Sequence, residues 1–326
     1  MKKFLSYSLL AAAAAAGVSL ADTATTTPVG YTTTTLPSGA TTLMGTTLHS
    51  PVLASGVITG ETSASISDSA VNFGTLLTAG STYVLEIEGG VIQEVTAWSG
   101  STLTTQDVTS YVTPNTTKYK LRKAATIASV FGATNSAGLT ATATGNAGTY
   151  DQVMVLNAAG NAFITCFYYN DGSVQGWYDS DYNDVTNKPL VYADAFYVRR
   201  IAGAPVNLVI SGEVKLSDTV LTVSNGNTFV GSINPVGTTL GNSGLKDSLV
   251  ADTGVPGAVF DKVLIQQPNG AYITYNYYND GSVQGWYDTD YNDATNVPLS
   301  SGVVIQSATP SAKNVKIKIP STYPAP

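Results

Sequence analysis

Along most of this chain, apolar and polar residues alternate over short runs separated by turn residues. Between Pro51 and Ala125 the runs are SGVITG (55–60), SASIS (63–67), STYVLEIE (81–88), VIQEVTAW (91–98), STLTTQ (101–106) and TKYKLRK (117–123). A period of two over four to eight residues is the signature of a half-buried strand. The Gly89-Gly90 pair between two of these runs predicts a hairpin. Helical spacing is confined to one turn near TIASVFG (126–132). Strands this closely spaced predict an all-β fold of antiparallel sandwich or barrel units, not βαβ units.

One pattern occurs twice. Residues 168–190 and 277–299 match at 20 of 23 positions, differing at Ser180/Thr289, Val185/Ala294 and Lys188/Val297. Weaker likeness extends on both sides, which predicts an internal repeat of roughly ninety residues. Each copy carries an aromatic run, then Asn-Asp-Gly, then Gln-Gly-Trp-Tyr-Asp, a strong hairpin signal. A two-residue Asp-Gly turn sets Tyr168 opposite Gln175 and Cys166 opposite Trp177, and in the second copy Tyr275 opposite Trp286. It also places Gly176 and Gly285 opposite Phe167 and Asn276. On that register Ile164, Cys166, Tyr168 and Trp177 share the core face, whereas a slip by one residue reverses the faces.

Composition adds location. Met1–Ala21 joins two lysines, a Leu/Ala run and small residues at positions 19 and 21, the pattern of a cleaved secretory leader. Removing it with Lys2 and Lys3 leaves 13 basic against 22 acidic residues, which argues against nucleic acid as a partner. No later stretch has the apolar length of a membrane-spanning helix. The expected location is secreted, at the cell surface or periplasmic. The expected divisions are a leader (1–21), a Thr-rich segment (22–48) with twelve threonines up to residue 47, and an N-terminal β-domain (49–125). Repeat A (126–211), connecting strands (212–229), repeat B (230–320) and a tail (321–326) follow. The Thr-rich segment reads as a stalk or as an extended edge strand. In the closing run KNVKIKIP, Val315, Ile317 and Ile319 alternate with lysines, predicting one buried face. The lone cysteine, Cys166, excludes an internal disulfide and reads as a buried thiol; the lone histidine, His49, reads as a surface residue.

Two constellations carry candidate chemistry. After each hairpin, Asp179, Asp181 and Asn183, and again Asp288, Asp290 and Asn292, alternate oxygen side chains like the first ligands of a calcium loop. The glycine and the bidentate glutamate that complete such a loop are replaced by Asp184 and Leu190, and by Asp293 and Leu299. A turn whose side chains bond their own backbone is the competing reading. No cofactor is expected other than calcium at these loops. Tyr169, Tyr178 and Tyr182, with Tyr278, Tyr287 and Tyr291, form a second set that could stack against sugars. With one histidine and no nucleophile, Walker or dinucleotide motif, histidine-based catalysis is excluded, while a carboxylate-pair glycosidase stays open.

PVGY (28–31), SGEV (211–214), the DQV and DKV elements at Gln152 and Lys262, and the GW elements at Trp177 and Trp286 together resemble a family of uncharacterised exported proteins. That family is found mainly in verrucomicrobial bacteria. The resemblance implies export and a β-rich structure, and brings no activity with it. The expected role is a secreted, non-catalytic structural or adhesive protein of a surface coat, matrix or appendage, with itself or an extracellular polysaccharide as partner. The alternative is a carbohydrate-binding protein with two equivalent sites.

Overall fold

A computed structural model describes residues 27–323 apart from 147, 232, 300 and 301. The leader, the start of the Thr-rich segment and the last three residues lie outside the described residues. Strands hold 43% of the described residues and helix 5%, so the fold is all-β, built from several antiparallel sheets of the sandwich type.

Two five-stranded sheets have the same plan. The first runs Gln175–Asp179, Phe163–Asn170, Gln152–Leu156, Phe196–Arg199, Thr41–Met44; the second runs Gln284–Asp288, Tyr272–Asn279, Lys262–Gln266, Val303–Ser307, Gly226–Val230. Each is faced by a two-stranded ribbon: Val29–Leu36 with Val206–Glu213 in the first unit, Thr219–Val223 with Lys313–Ile317 in the second. Inward residues of sheet and ribbon form one core per unit. Val153, Cys166, Trp177, Val198, Leu208 and Ile210 meet in unit A, and Val263, Tyr275, Trp286, Ile305, Val315 and Ile317 in unit B. Val315 and Ile317 point inward as the lysine alternation predicts, and Cys166 is buried, its thiol pushed up to about 12 by burial.

Strands of the Thr-rich segment therefore complete unit A. Val29–Leu36 lies in its ribbon and Thr41–Met44 in its sheet, while residues 49–124 interrupt the unit as a separate sandwich. That insertion pairs a four-stranded sheet, Val52–Val57, Lys118–Lys123, Tyr83–Ile87 and Ile92–Val95, with a second sheet of very short strands. The connecting stretch plays the Thr-rich segment's part for unit B, since Thr219–Val223 and Gly226–Val230 are that unit's ribbon and edge strands.

The hairpin register departs from the two-residue turn. Asn170 pairs with Gln175, Tyr168 with Trp177, Cys166 with Asp179 and Tyr169 with Gly176; in the second copy Tyr277, not Tyr275, faces Trp286, and Gly285 faces Tyr278. The cause is the Asp171 side chain, whose Oδ1 accepts bonds from the backbone N–H groups of Ser173 (2.8 Å) and Val174 (2.7 Å) and so closes a four-residue loop. Gly172, at φ +90°, supplies the left-handed step inside it. The shift is two residues, so the buried face is unchanged.

Outer faces of the two sheets meet. Leu43, Ala195 and Val304 are buried together there, Phe163 lies 5.0 Å edge-on to Phe229, and the Tyr197 and Tyr272 hydroxyls are 2.8 Å apart. Gln266 from unit B closes an edge of unit A: its Nε2 donates to Thr41 O (2.8 Å) and its Oε1 accepts from Leu43 N (2.6 Å), as a neighbouring strand would.

His49 is not at the surface. It is 4% exposed where the insertion meets both units, its ring 4.3 Å from that of Tyr192 and its Nε2 3.3 Å from the Ile233 carbonyl. Its backbone pairs with Glu213, which fixes it beside a buried ion network in which Arg122 bridges Glu86 (3.0 Å) and Glu213 (2.5 Å). Burial, then the nearby Arg122 and Lys215 cations, hold the imidazole down at about 3, so it is neutral.

Candidate functional site

The recurrent hairpin and the acidic loop after it form one structural device. Asp179 Oδ1 accepts the backbone N–H groups of Asp181 and Asn183, both at 2.9 Å, and the Asn183 amide at 3.2 Å; Oδ2 takes a second contact from that amide at 3.0 Å. Asp288 repeats this with Asp290 and Asn292 at nearly the same distances. Hydrogen bonds from the following asparagine side chain come first among the causes that hold both carboxyls below their ordinary range. Tyr182 and Tyr291 occupy the left-handed region, at φ +60° and +63°, which lets each loop double back.

The loop then bonds along the outer side of its own strand. Asp179 N donates to Asn183 O (3.1 Å) and Val185 N to Trp177 O (2.9 Å), and Asp288 and Ala294 do the same in unit B. A bare strand edge is a template for unwanted pairing, and this return covers it. The sequence signals the turn through its Asx spacing, but the edge it protects is visible only once the strand order is known.

Among the six oxygen-bearing positions proposed for calcium, Asp179 and Asp288 are committed to these turns. Asn183 and Asn292 present amide N–H groups to them, while Asp181 and Asp290 are exposed. Among the described residues, no three His, Cys, Asp or Glu side chains are grouped to hold a metal ion. A cation in the loop must displace the three bonds on Oδ1.

The six tyrosines are gathered in threes, but not identically. In unit A, Tyr169 stands edge-on to Tyr178 (6.1 Å) and to Tyr182 (6.0 Å), and Tyr182 is also edge-on to buried Phe167 (5.8 Å), which rests on Tyr150. In unit B, Tyr278 meets Tyr287 at 6.2 Å, but Tyr291 is 74% exposed. Asn276 stands where Phe167 would be, and its amide donates to Asp252 Oδ2 (3.1 Å). Tyr178 and Tyr287 lie over Gly176 and Gly285, where a Cβ would come within 3.2 and 3.1 Å of the ring. The hydroxyls of Tyr169 and Tyr278 each donate to the turn aspartate two residues on, at 3.1 Å.

Open space lies elsewhere. A cleft of about 340 Å³ runs between the insertion and unit B and is lined by Glu94, Asp194, Gln93 and Asn314. Crowding inside the cleft, then the neighbouring Glu94, push the Asp194 carboxyl up to about 6, although the residue is open to solvent. A second groove, of about 640 Å³, crosses the insertion's sheet over Lys118, Lys120 and Glu88. Neither touches the six tyrosines.

Two buried charges escaped the sequence reading although they stand in its DQV and DKV motifs. Asp151 and Asp261 are almost fully buried and occupy matching places. Asp151 accepts from Thr140 N (2.7 Å) and Ile201 N (2.8 Å), and Asp261 accepts from Val250 N (2.6 Å) and Ala308 N (2.9 Å). Their cations come from different parts of the fold: Arg200, just after Phe196–Arg199, has its Nε 2.6 Å from Asp151, whereas Lys313, at the start of Lys313–Ile317, pairs with Asp261. The motif itself, Asp before a β-prone pair in both copies, was the available signal. Comparison with protein-family models, with curated proteins and with solved structures finds no match for this chain.

Proposed function

We propose that this protein is an exported, non-catalytic structural component of the cell exterior, in which the repeated hairpin stabilises a building block. One observation carries the reading: the stretch used twice spends its carboxylates on its own backbone and its loop on covering its own strand edge. Such a device makes two units rigid and closed along those edges. A polymerising or coat-forming protein needs both properties so that it pairs only where it should.

The test is sedimentation of the chain from Asp22 onward across a hundredfold concentration range, alongside a glycan array. The expected result is a mass that rises with concentration and no glycan retained. A glycan retained and then lost in Tyr287→Ala would establish the carbohydrate reading instead. One observation favours that alternative in unit B, where exposed Tyr291 lies in the loop that follows Tyr287's strand and Asp252 bonds Asn276 nearby. Melting with calcium and then with chelator decides the metal question, because a native-state ligand must raise the midpoint, and Asp181→Ala with Asp290→Ala must remove the rise.

A further inference from the structure

We propose that the outer edge of Val29–Leu36 pairs antiparallel with the same edge of a second copy of this chain; the proposal rests on the structural reading above and names the surface through which the building block assembles. Other strand edges of the two units are closed. The hairpin edges are covered by their returning loops, Thr41–Met44 by Gln266, and Gly226–Val230 by residues 193–195. In the ribbon of unit B, Val220 N donates to Gly90 O of the insertion (2.8 Å), and Lys318 N donates to Ser243 O (2.8 Å) just beyond the opposite strand. Val206–Glu213 is bonded at its end by His49 and flanked by the helix Ile127–Phe131. Val52–Val57 pairs across a register shift at Leu121/Arg122, the kind of irregularity that twists an edge away from partners.

Val29–Leu36 has none of these protections. It is eight residues long, pairs residue for residue with Val206–Glu213 without a bulge, and carries no charge or proline. Pro28 O accepts from Val214 N, so the even-numbered residues bond the ribbon and the N–H and C=O groups of Val29, Tyr31, Thr33 and Thr35 face outward. No backbone bond meets them among the described residues. Val29 and Tyr31 are 75% and 76% exposed, and Val209 beside Thr33 is 55% exposed.

The occupant follows from the sequence of the edge. Thr32–Thr35 is a run of one residue type, so an antiparallel copy centred on Thr33 sets Thr33 against Thr33 and Tyr31 against Thr35. No like charges oppose each other, and threonine pairs add to the ladder. A two-fold interface of this kind uses one patch twice and closes as a dimer.

Three variants test it on the chain from Asp22 onward, by sedimentation and by oxidative cross-linking. Thr33→Pro removes an outward N–H and leaves the ribbon's own bonds in place; Thr33→Lys keeps the backbone and sets like charges face to face. Thr33→Cys places thiols opposite each other, while native Cys166 is buried and stays out of the reaction. The expected result is a concentration-dependent dimer in the unaltered chain, a dissociation constant at least tenfold weaker in the Pro and Lys variants with an unchanged melt, and a disulfide-linked dimer in the Cys variant. If Pro disrupts folding, the Lys and Cys variants decide. Self-association that ignores the Lys variant and gives no cross-link overturns this surface but leaves the structural reading standing. An unaltered chain that stays monomeric at every concentration overturns both.

Discussion

The two hairpins are built from nearly the same 23 residues, and they are most alike on the face turned toward the core. On that face Tyr168 meets Trp177 at 5.3 Å and Tyr277 meets Trp286 at 5.6 Å. On the other face, unit A has Phe167 resting on Tyr150 and edge-on to Tyr182, which is 52% exposed, while unit B has Asn276 bonded to Asp252 and Tyr291 74% exposed. Residues outside the shared stretch decide this. The same separation of fixed function from variable means recurs at Asp151 and Asp261, where matching backbone bonds accompany cations supplied from different parts of the fold. A buried carboxylate can be paired by a cation from more than one place in the fold, provided the charge is met.

The sharpest test of that comparison removes each cation. Arg200→Ala strands Asp151 in the core and should cost about 3–5 kcal/mol, as breaking a buried pair does. Lys313 is 18% exposed along its side chain, so water can reach the gap and Lys313→Ala should cost visibly less. Chemical denaturation measures both, and equal losses would mean that the two pairs are not differently buried.

The outer faces come next. Phe167→Ala should cost about 3 kcal/mol, the usual loss for a buried phenylalanine, and should raise iodide quenching of Tyr182, already 52% exposed, only modestly. Asn276→Ala should change stability by about 1 kcal/mol or less, since it removes one accessible hydrogen bond.

A third test uses pH, because His49 enters the core through unit A's chain and unit B has no histidine. Its native value near 3 lies below the unfolded value of 6.5, so the unfolded chain takes up the proton first. Stability from this group is therefore lost as pH falls from 6.5 toward 3, by about 1.4 kcal/mol per unit. Asp194, raised to about 6, acts in the opposite sense between that value and its unfolded one, so the measurement is the difference in slope between the unaltered chain and His49→Gln. No difference would place the histidine in water.

The smallest effect concerns the tryptophans. Trp177 Nε1 donates to Gly132 O at 2.8 Å, whereas the buried Trp286 Nε1 has no acceptor among the described residues. Trp177→Phe should cost about 1 kcal/mol more than Trp286→Phe, the net worth of one hydrogen bond. Paired thermal melts read it.

Much of this arrangement was legible without coordinates, and the register error shows why. Shifting Tyr168 from Gln175 to Trp177 moves the hairpin by two residues, and two residues preserve which side chains face the core. The Ile164, Cys166, Tyr168 and Trp177 face was therefore right although every partner assigned along it was displaced. The calcium and tyrosine residues lie together in each unit, as their spacing implies, but how their oxygens and rings are used depends on the loop's return along the strand.

Strand character, turn chemistry, the core-facing parity and the duplicated stretch were fixed by the chain's own sequence, because each depends on neighbours within a few residues. Tertiary structure alone decided that Val29 pairs with Glu213, that the insertion splits unit A, that His49 is buried at a three-way junction, and that no backbone bond among the described residues meets the outer edge of Val29–Leu36. Those outcomes depend on which strands lie side by side after long loops close. Strand pairing over such distances is selected by the fit of whole faces and leaves no periodic mark on either partner.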